Sequence, residues 1–316
     1  MSKLAPIVAA MRTDDGRIHD HNEDYISRWE PTTPEDEKKY GWLFIVADGV
    51  GGADAGEIAS EYATERMKEH YLAHTETADW GERLRQAMLY ANTELRQLVA
   101  SEHEGRRMAT TMVTAVITGS TVHIANVGDS RAYHWRAGFI SQITKDHSLV
   151  AKLVEEGAIS AAEAENHPYQ NVILYSIGSD KNPRIDLFEV PLVLGDILVL
   201  CSDGLNKHVS DAEIGEFVAR QPLDAAAESL ISLANERGGR DNISVIVLRY
   251  GERPDLTETM VGETAVALET TPSKTTVISA SQPAAKSNTR ALWVYTIILA
   301  LIEALLTILI WLYLRV

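Results

Sequence analysis

The chain of 316 residues contains one cysteine, Cys201, so no disulfide can close within it. Positive charge is also scarce: 29 Lys and Arg stand against 45 Asp and Glu, a formal net charge of −16. That balance repels nucleic-acid phosphates, and no basic stripe offsets it, which excludes nucleic-acid binding. The N-terminus lacks the charged-then-apolar layout of a secretory signal, so the globular part is expected in the cytoplasm. The glycine-rich stretch 48–56 lacks the Gly-Lys-Ser/Thr ending that a nucleotide-binding P-loop needs.

In place of these features stand five short acidic motifs in fixed order. They are Asn22-Glu23-Asp24, Asp48-Gly49, Gly128-Asp129-Ser130-Arg131, Ser202-Asp203-Gly204 and Asp241-Asn242. Each follows or adjoins an apolar β-forming run, such as Trp42 to Val46 or Ile197 to Leu200, so the carboxylates are expected at strand ends facing one cleft. Any one of them alone reads as a turn, a hairpin tip or a cap; their shared placement is what points to a site. Glu23, Asp48, Asp203 and Asp241 are hard oxygen donors with no His or Cys at ligand spacing, which favours Mg²⁺ or Mn²⁺ over Zn²⁺. Two ions about 3.5 to 4 Å apart could activate a water and clamp a phosphoryl group, hydrolysing phosphate esters without a protein nucleophile.

The globular region reads as α+β. Apolar runs at 7–11 and 41–47 predict strands, and spacings of three and four predict helix faces through Ala59, Ala63 and Met67, then through Leu84, Met88, Ala91 and Leu95. Short pieces between 111 and 143 predict an antiparallel meander. A helix over 148–156, a polar segment over 160–170, strands at 185–190 and 196–201, two helices within 211–237 and a strand at 243–250 complete the region.

The far end differs in kind. Residues 291–314 are almost wholly apolar, long enough to cross a hydrocarbon layer of about 30 Å. Trp293 and Tyr295, then Trp311 and Tyr313, stand where interfacial aromatic belts are expected, and Lys286 and Arg290 flank the entry. The expectation is a globular domain over 1–250, a Thr/Ser/Glu-rich tether over 251–289 and a single-pass anchor over 290–316. The N-terminal domain would then face the cytoplasm from the inner membrane, with residues 291–314 in contact with its lipid. Glu303, midway along the apolar stretch, is either a helix-pairing group or a protonated, lipid-tolerated acid.

Longer motifs carry a family resemblance: 19–24 (His-Asp-His-Asn-Glu-Asp), 47–52 (Ala-Asp-Gly-Val-Gly-Gly), 109–111 (Ala-Thr-Thr), 126–132, 144–148 (Thr-Lys-Asp-His-Ser), 200–205 and 241–244. From about residue 6 to 250 the chain resembles bacterial PP2C-type, or PPM, protein serine/threonine phosphatases. The resemblance implies a PP2C-like α-β-β-α sandwich of two mainly antiparallel sheets flanked by helices, and two Mn²⁺ or Mg²⁺ ions. It implies that Asp48 bridges both ions, Glu23 and the Gly49 carbonyl complete one, and Asp203 and Asp241 hold the other. Asp24 would orient water behind them, and Asp129 with Asp203 would match a weaker third ion. Residues 153–168, with Gly157 and Ser160, resemble the family's flap. Substrates would be phosphorylated proteins, including a membrane Ser/Thr kinase and its targets; the alternative is a non-catalytic phosphoprotein-binding or scaffolding module on the same fold.

Two positions depart from the family pattern. His19 stands where an arginine commonly clamps the substrate phosphate; it can donate to phosphate but not as a bidentate fork, and Arg12 or Arg17 are alternative clamps. Val50 stands where eukaryotic members carry a histidine able to act as general acid.

Overall fold

Antiparallel strands usually alternate apolar and polar residues, yet the strands that carry the motifs are apolar at nearly every position. The computed structural model, which describes residues 7–51, 55–102 and 107–251, shows the reason. These strands are covered on both faces.

One sheet has the order β1 (Ile7–Asp14), β11 (Ile243–Tyr250), β10 (Ile197–Cys201), β7 (Arg131–Arg136), β8 (Phe139–Gln142). The other runs β2 (Asp24–Trp29), β3 (Trp42–Gly51), β5 (Met112–Thr118), β6 (Thr121–Val127), β9 (Asp186–Pro191), with β4 (Met108–Thr110) also pairing with β3. All the pairings within these sheets are antiparallel.

Within β3 the side chains divide strictly by parity. Trp42, Phe44 and Val46 enter the seam between the sheets, where they join Val113, Ala115, Leu198, Leu200, Ile246 and Leu248. Leu43, Ile45 and Ala47 face the opposite way, onto α2 (Ala55–Ala73) and α3 (Trp80–Glu102), meeting Ala59, Ala63, Met67, Leu84 and Met88. The first sheet mirrors this arrangement: Val199, Cys201, Val245 and Val247 face α7 (Asp211–Arg220) and α8 (Leu223–Glu236) through Ile214, Val218, Ala227 and Leu230. Each fully buried Leu, Ile, Val or Phe contributes roughly 1.5–3 kcal/mol relative to exposure, so three stacked apolar layers hold the sheets rigidly. The α-β-β-α sandwich is therefore as expected.

Several elements were not legible as periodic patterns. α1 (Pro34–Tyr40) is announced by a capping box instead: the Thr33 hydroxyl accepts from the Asp36 amide while Asp36 accepts from the Thr33 amide, and Pro34 opens the helix. The segment expected to be merely polar holds α5 (Ala161–Glu165), capped in the same way by Ser160 and Glu163. β2 follows directly on Asn22-Glu23 and pairs with β3 so that Asp24 lies opposite Asp48.

Residues 252–316, with the tether and the apolar stretch 291–314, lie outside the described residues. Among the described residues no helix is long and apolar enough to cross a membrane.

Candidate metal and phosphate site

The antiparallel registers bring one end of each sheet to the same rim. In the first sheet these are the end of β10, the start of β11 and the start of β7, since Cys201 pairs with both Val245 and Arg131. In the second they are the start of β2, the later part of β3, the start of β5 and the end of β6, since Asp24 pairs with Asp48 and Met112 with Val127. The motifs, far apart in the chain, are thus neighbours at that rim.

Side chains of the motifs then join the sheets. The Ser202 hydroxyl donates to Asp24 Oδ2 at 2.7 Å, and the Ser244 amide donates to the Ser202 hydroxyl at 2.9 Å. The Glu23 amide donates to Asn242 Oδ1 at 2.8 Å, while Asn242 Nδ2 donates to the Asp15 and His21 carbonyls. Asp48 is fixed through its backbone: its amide donates to the Thr111 hydroxyl (3.1 Å), and its carbonyl accepts from the Thr111 amide (2.8 Å) and the Thr110 hydroxyl (2.9 Å). Thr111 in turn bonds Ser130, beside Asp129, at 2.7 Å. Thr110, Thr111, Ser202, Ser244 and Asn242 therefore aim the carboxylates, a role that motif reading alone did not assign to them.

Glu23 is shaped by a glycine. A Cβ built on Gly56, in the first turn of α2, would lie 2.5 Å from Glu23 Cδ and 2.6 and 2.8 Å from its two carboxylate oxygens. Only a residue without a side chain leaves the Glu23 carboxylate this seat against the helix start, where backbone N–H groups favour negative charge.

The electrostatics show an acid cluster short of positive charge. Burial pushes the Asp48 carboxyl well above the usual carboxylate range, and Asp24, Asp203, Asp129 and Asp241 push it further. Asp24 is raised to about 7 by burial, against the pull of Ser202 and Ser244, and Asp129 to about 8 by burial and by Asp203. Burial raises Asp203 and Glu23 as well. One oxygen each of Asp24, Asp129 and Asp203 is buried without a hydrogen-bond partner. Unpartnered buried carboxylate oxygens are costly unless a cation or proton meets them, so the donor set suits hard divalent cations. Among the described residues, however, no three Asp, Glu, His or Cys side chains form a ready-made metal cage.

A side chain overlooked in the sequence supplies part of the missing charge. α6 (Asp203–Asn206) ends so that Lys207 Nζ lies 2.5 Å from Asp203 Oδ2 and 3.6 Å from Asp241 Oδ2. The signal was present as an acid and a base four residues apart at a helix.

Of the three candidate phosphate clamps, His19 is the one with a contact at the carboxylates: its Nε2 is 3.6 Å from Asp241 Oδ1, and its side chain is exposed. Arg12 is turned away, donating to Asp224 (3.2 Å) and Glu228 (3.3 Å) on α8. The Arg17 amide donates to the Gly239 carbonyl at 2.7 Å, and its side-chain stem lies over Gly239. In the segment expected as the flap, Gly157 follows α4 (Leu149–Glu155) with φ of +71°. Ser160 caps α5: its hydroxyl accepts from the Glu163 amide while its own amide donates to the Glu163 carboxylate, so it serves the local helix start.

A four-layer sandwich whose two sheets meet at a rim of buried, cation-seeking carboxylates is the architecture of a metal-dependent phosphatase. The family model described as protein phosphatase 2C matches residues 20–245, and the chain belongs to that family. It is 39% identical over 247 residues to the serine/threonine phosphatase stp of Listeria monocytogenes, covering 76% of this chain and 94% of that one. Among solved structures, the serine/threonine phosphatase Stp1 of Staphylococcus aureus aligns with a TM-score of 0.72 at 34% identity, covering 80% of this chain and 98% of that one. The catalytic domain of the phosphatase PstP in complex with two manganese ions aligns with a TM-score of 0.65 at 32% identity, covering 78% and 99%.

Proposed function

We infer that this chain is a metal-dependent phosphatase of phosphoserine and phosphothreonine in proteins. The observation that carries the reading is the set of unpartnered, buried oxygens on Asp24, Asp129 and Asp203, from both sheets, around an Asp48 that burial, and then its acidic neighbours, push toward protonation. Glu23, Asp48, the Gly49 carbonyl, Asp203 and Asp241 would hold two Mn²⁺ or Mg²⁺ ions. When bound, such ions supply Lewis acidity to a phosphoryl group and lower the pKa of water.

The protein's own part is placement. The Thr110-Thr111 clamp fixes Asp48, Gly56 leaves room for Glu23, and the Ser202–Ser244 relay holds the Asp24 carboxylate at the junction of the sheets, where it can accept a proton. His19, exposed beside Asp241, would donate to a phosphate oxygen, and with Val50 after Asp48-Gly49 no histidine general acid stands at that position. The complete carboxylate set favours catalysis over a scaffolding role, because a binding module has no use for ion-activated water. Phosphate release from phosphothreonine and phosphoserine peptides, with and without a chelator, tests this. Release should require Mn²⁺ or Mg²⁺ and should discriminate against phosphotyrosine; release that survives chelation would sink the reading.

The reading extends to location. The apolar stretch 291–314, with its aromatic ends and preceding Lys286 and Arg290, supports a single-pass anchor in the inner membrane, with residues 251–289 as tether and the catalytic domain cytoplasmic. Substrates would then be those that reach the membrane face, a Ser/Thr kinase and its targets among them. The full chain should stay in the membrane pellet after alkaline carbonate extraction, and recovery in the supernatant would overturn the anchor.

A further inference from the structure

We propose that His147 is a positioning residue for the phosphatase reaction: by pairing with Gly128 it closes a ring of hydrogen bonds that fixes Asp129 relative to Asp48. The proposal rests on the metal-dependent reading above and adds to it a residue from outside the acid cluster.

His147 is 4% exposed and pairs with Gly128 in both directions. Its amide donates to the Gly128 carbonyl at 2.9 Å, and the Gly128 amide donates to its Nδ1 at 3.3 Å. An amide N–H can only donate, so Nδ1 is the acceptor and the ring proton sits on Nε2, which faces Asp186 Oδ2 at 3.3 Å. Tyr175 meets the imidazole edge-on, with ring centroids 5.4 Å apart. Asp186 in turn lies opposite Asn126, whose Nδ2 donates to the same Gly128 carbonyl. The imidazole is thus held in one tautomer and one plane.

Gly128 needs such a partner. It lies in the left-handed region at φ of +103°, and a Cβ there would stand 2.5 Å from Thr111 Cβ, so the turn that leads into Asp129 is pressed onto Thr111. Its amide, buried in that turn, requires an acceptor, and His147 Nδ1 supplies it. From His147 the ring runs on. The Leu174 amide donates to the His147 carbonyl at 2.7 Å, and Ile177 and Thr110 exchange both backbone bonds at 2.8 and 2.9 Å. The Thr110 hydroxyl then donates to the Asp48 carbonyl, and Thr111 joins Asp48 to Ser130. Ser130, Asp129 and Gly128 are consecutive, which closes the ring. His147 Nδ1 is the link that can be removed without disturbing a residue bonded to Asp48.

The test is a double-mutant cycle on the full chain. It is read in Mn²⁺ affinity, from the electron paramagnetic resonance signal of free Mn²⁺, and in kcat for a phosphothreonine peptide. His147→Gln removes the acceptor at Nδ1 but leaves a donor toward Asp186, and it should lower one or both quantities about 10- to 100-fold. In an Asp129→Asn background the same substitution should change them by less than about twofold, because the carboxylate it acts through is gone. His147→Asn, whose carboxamide oxygen falls near the Nδ1 position, should recover most of the loss, which a merely space-filling histidine would not predict. If His147→Gln does not fold, Asp186→Asn, at a part-exposed side chain, carries the same cycle with a smaller loss. Equal losses with and without the Asp129 carboxylate, or equal losses in His147→Gln and His147→Asn, would overturn the proposal and leave the phosphatase reading standing. A wild type that neither binds Mn²⁺ nor releases phosphate would remove both.

Discussion

Replacing Gly56 by alanine separates the site from the fold. The new methyl carbon would lie 2.5 Å from Glu23 Cδ, where ordinary contact begins near 3.4 Å, so the carboxylate must retreat by about 1 Å. The three atoms nearest the new carbon all belong to the Glu23 side chain and none to backbone, so the side chain yields rather than the helix. A displacement of about 1 Å in a positioned group costs on the order of 100-fold in rate, equivalent to about 2.7 kcal/mol of transition-state stabilisation. The fold, by contrast, should gain or hold, since alanine in a helix is favoured over glycine by roughly 0.5–1 kcal/mol. Steady-state phosphate release at saturating Mn²⁺, beside a thermal melt, reads both quantities. An activity within about threefold of wild type at unchanged melting temperature would refute the placement of Glu23 at the reacting centre.

Further outcomes follow from the same contacts. The folded metal-free protein holds a proton on Asp24 up to about pH 7, whereas the unfolded carboxyl releases it near its ordinary value of 3.8. The folded state therefore binds more protons between those values, and stability in a chelator should fall as pH rises from 5 to 7, by up to about 3 kcal/mol through Asp24, with Asp129 adding to the fall and extending it toward 8. Melts in a chelator that rise with pH over this window would contradict the burial of these acids, and saturating Mn²⁺ should abolish the decline. Arg131 donates three bonds to the largely buried Asp146 and one to the Tyr133 hydroxyl, so Arg131→Ala should cost about 3–5 kcal/mol and lower the melting temperature by roughly 6–20 °C, a loss that calorimetry would reveal or exclude. The Cys201 thiol, fully buried and pushed up to about 12, should react with iodoacetamide only on unfolding, and alkylation of the native protein would contradict its position in the core.

The layers were legible in the sequence because strands covered on both faces must be apolar throughout, and β3, β10 and β11 are. α1 and α5 were missed because short helices with no buried residue have no apolar period; their capping boxes at Thr33 and Ser160 were the available signal. The acidic motifs were legible as a set, since a carboxylate at each of several strand ends is hard to explain by turn chemistry alone. Their supports were not, because Ser202 and Asn242 act across the sheets and Thr111 across neighbouring strands, over separations such as 219 residues between Glu23 and Asn242. Arg12 and His19 show the same limit: a strand-borne arginine reads as a candidate clamp until the third dimension commits it to Asp224 and Glu228.

The most direct test of the central claim is Mn²⁺-dependent phosphate release from a phosphothreonine peptide by the full chain, set beside Asp48→Asn and Asp203→Asn. Each substitution keeps the side chain's shape and removes its charge, so folding should persist. The account predicts release that requires metal in the wild type and collapses in both variants. Undiminished release by either variant, or none from folded, metal-loaded wild type, would contradict it.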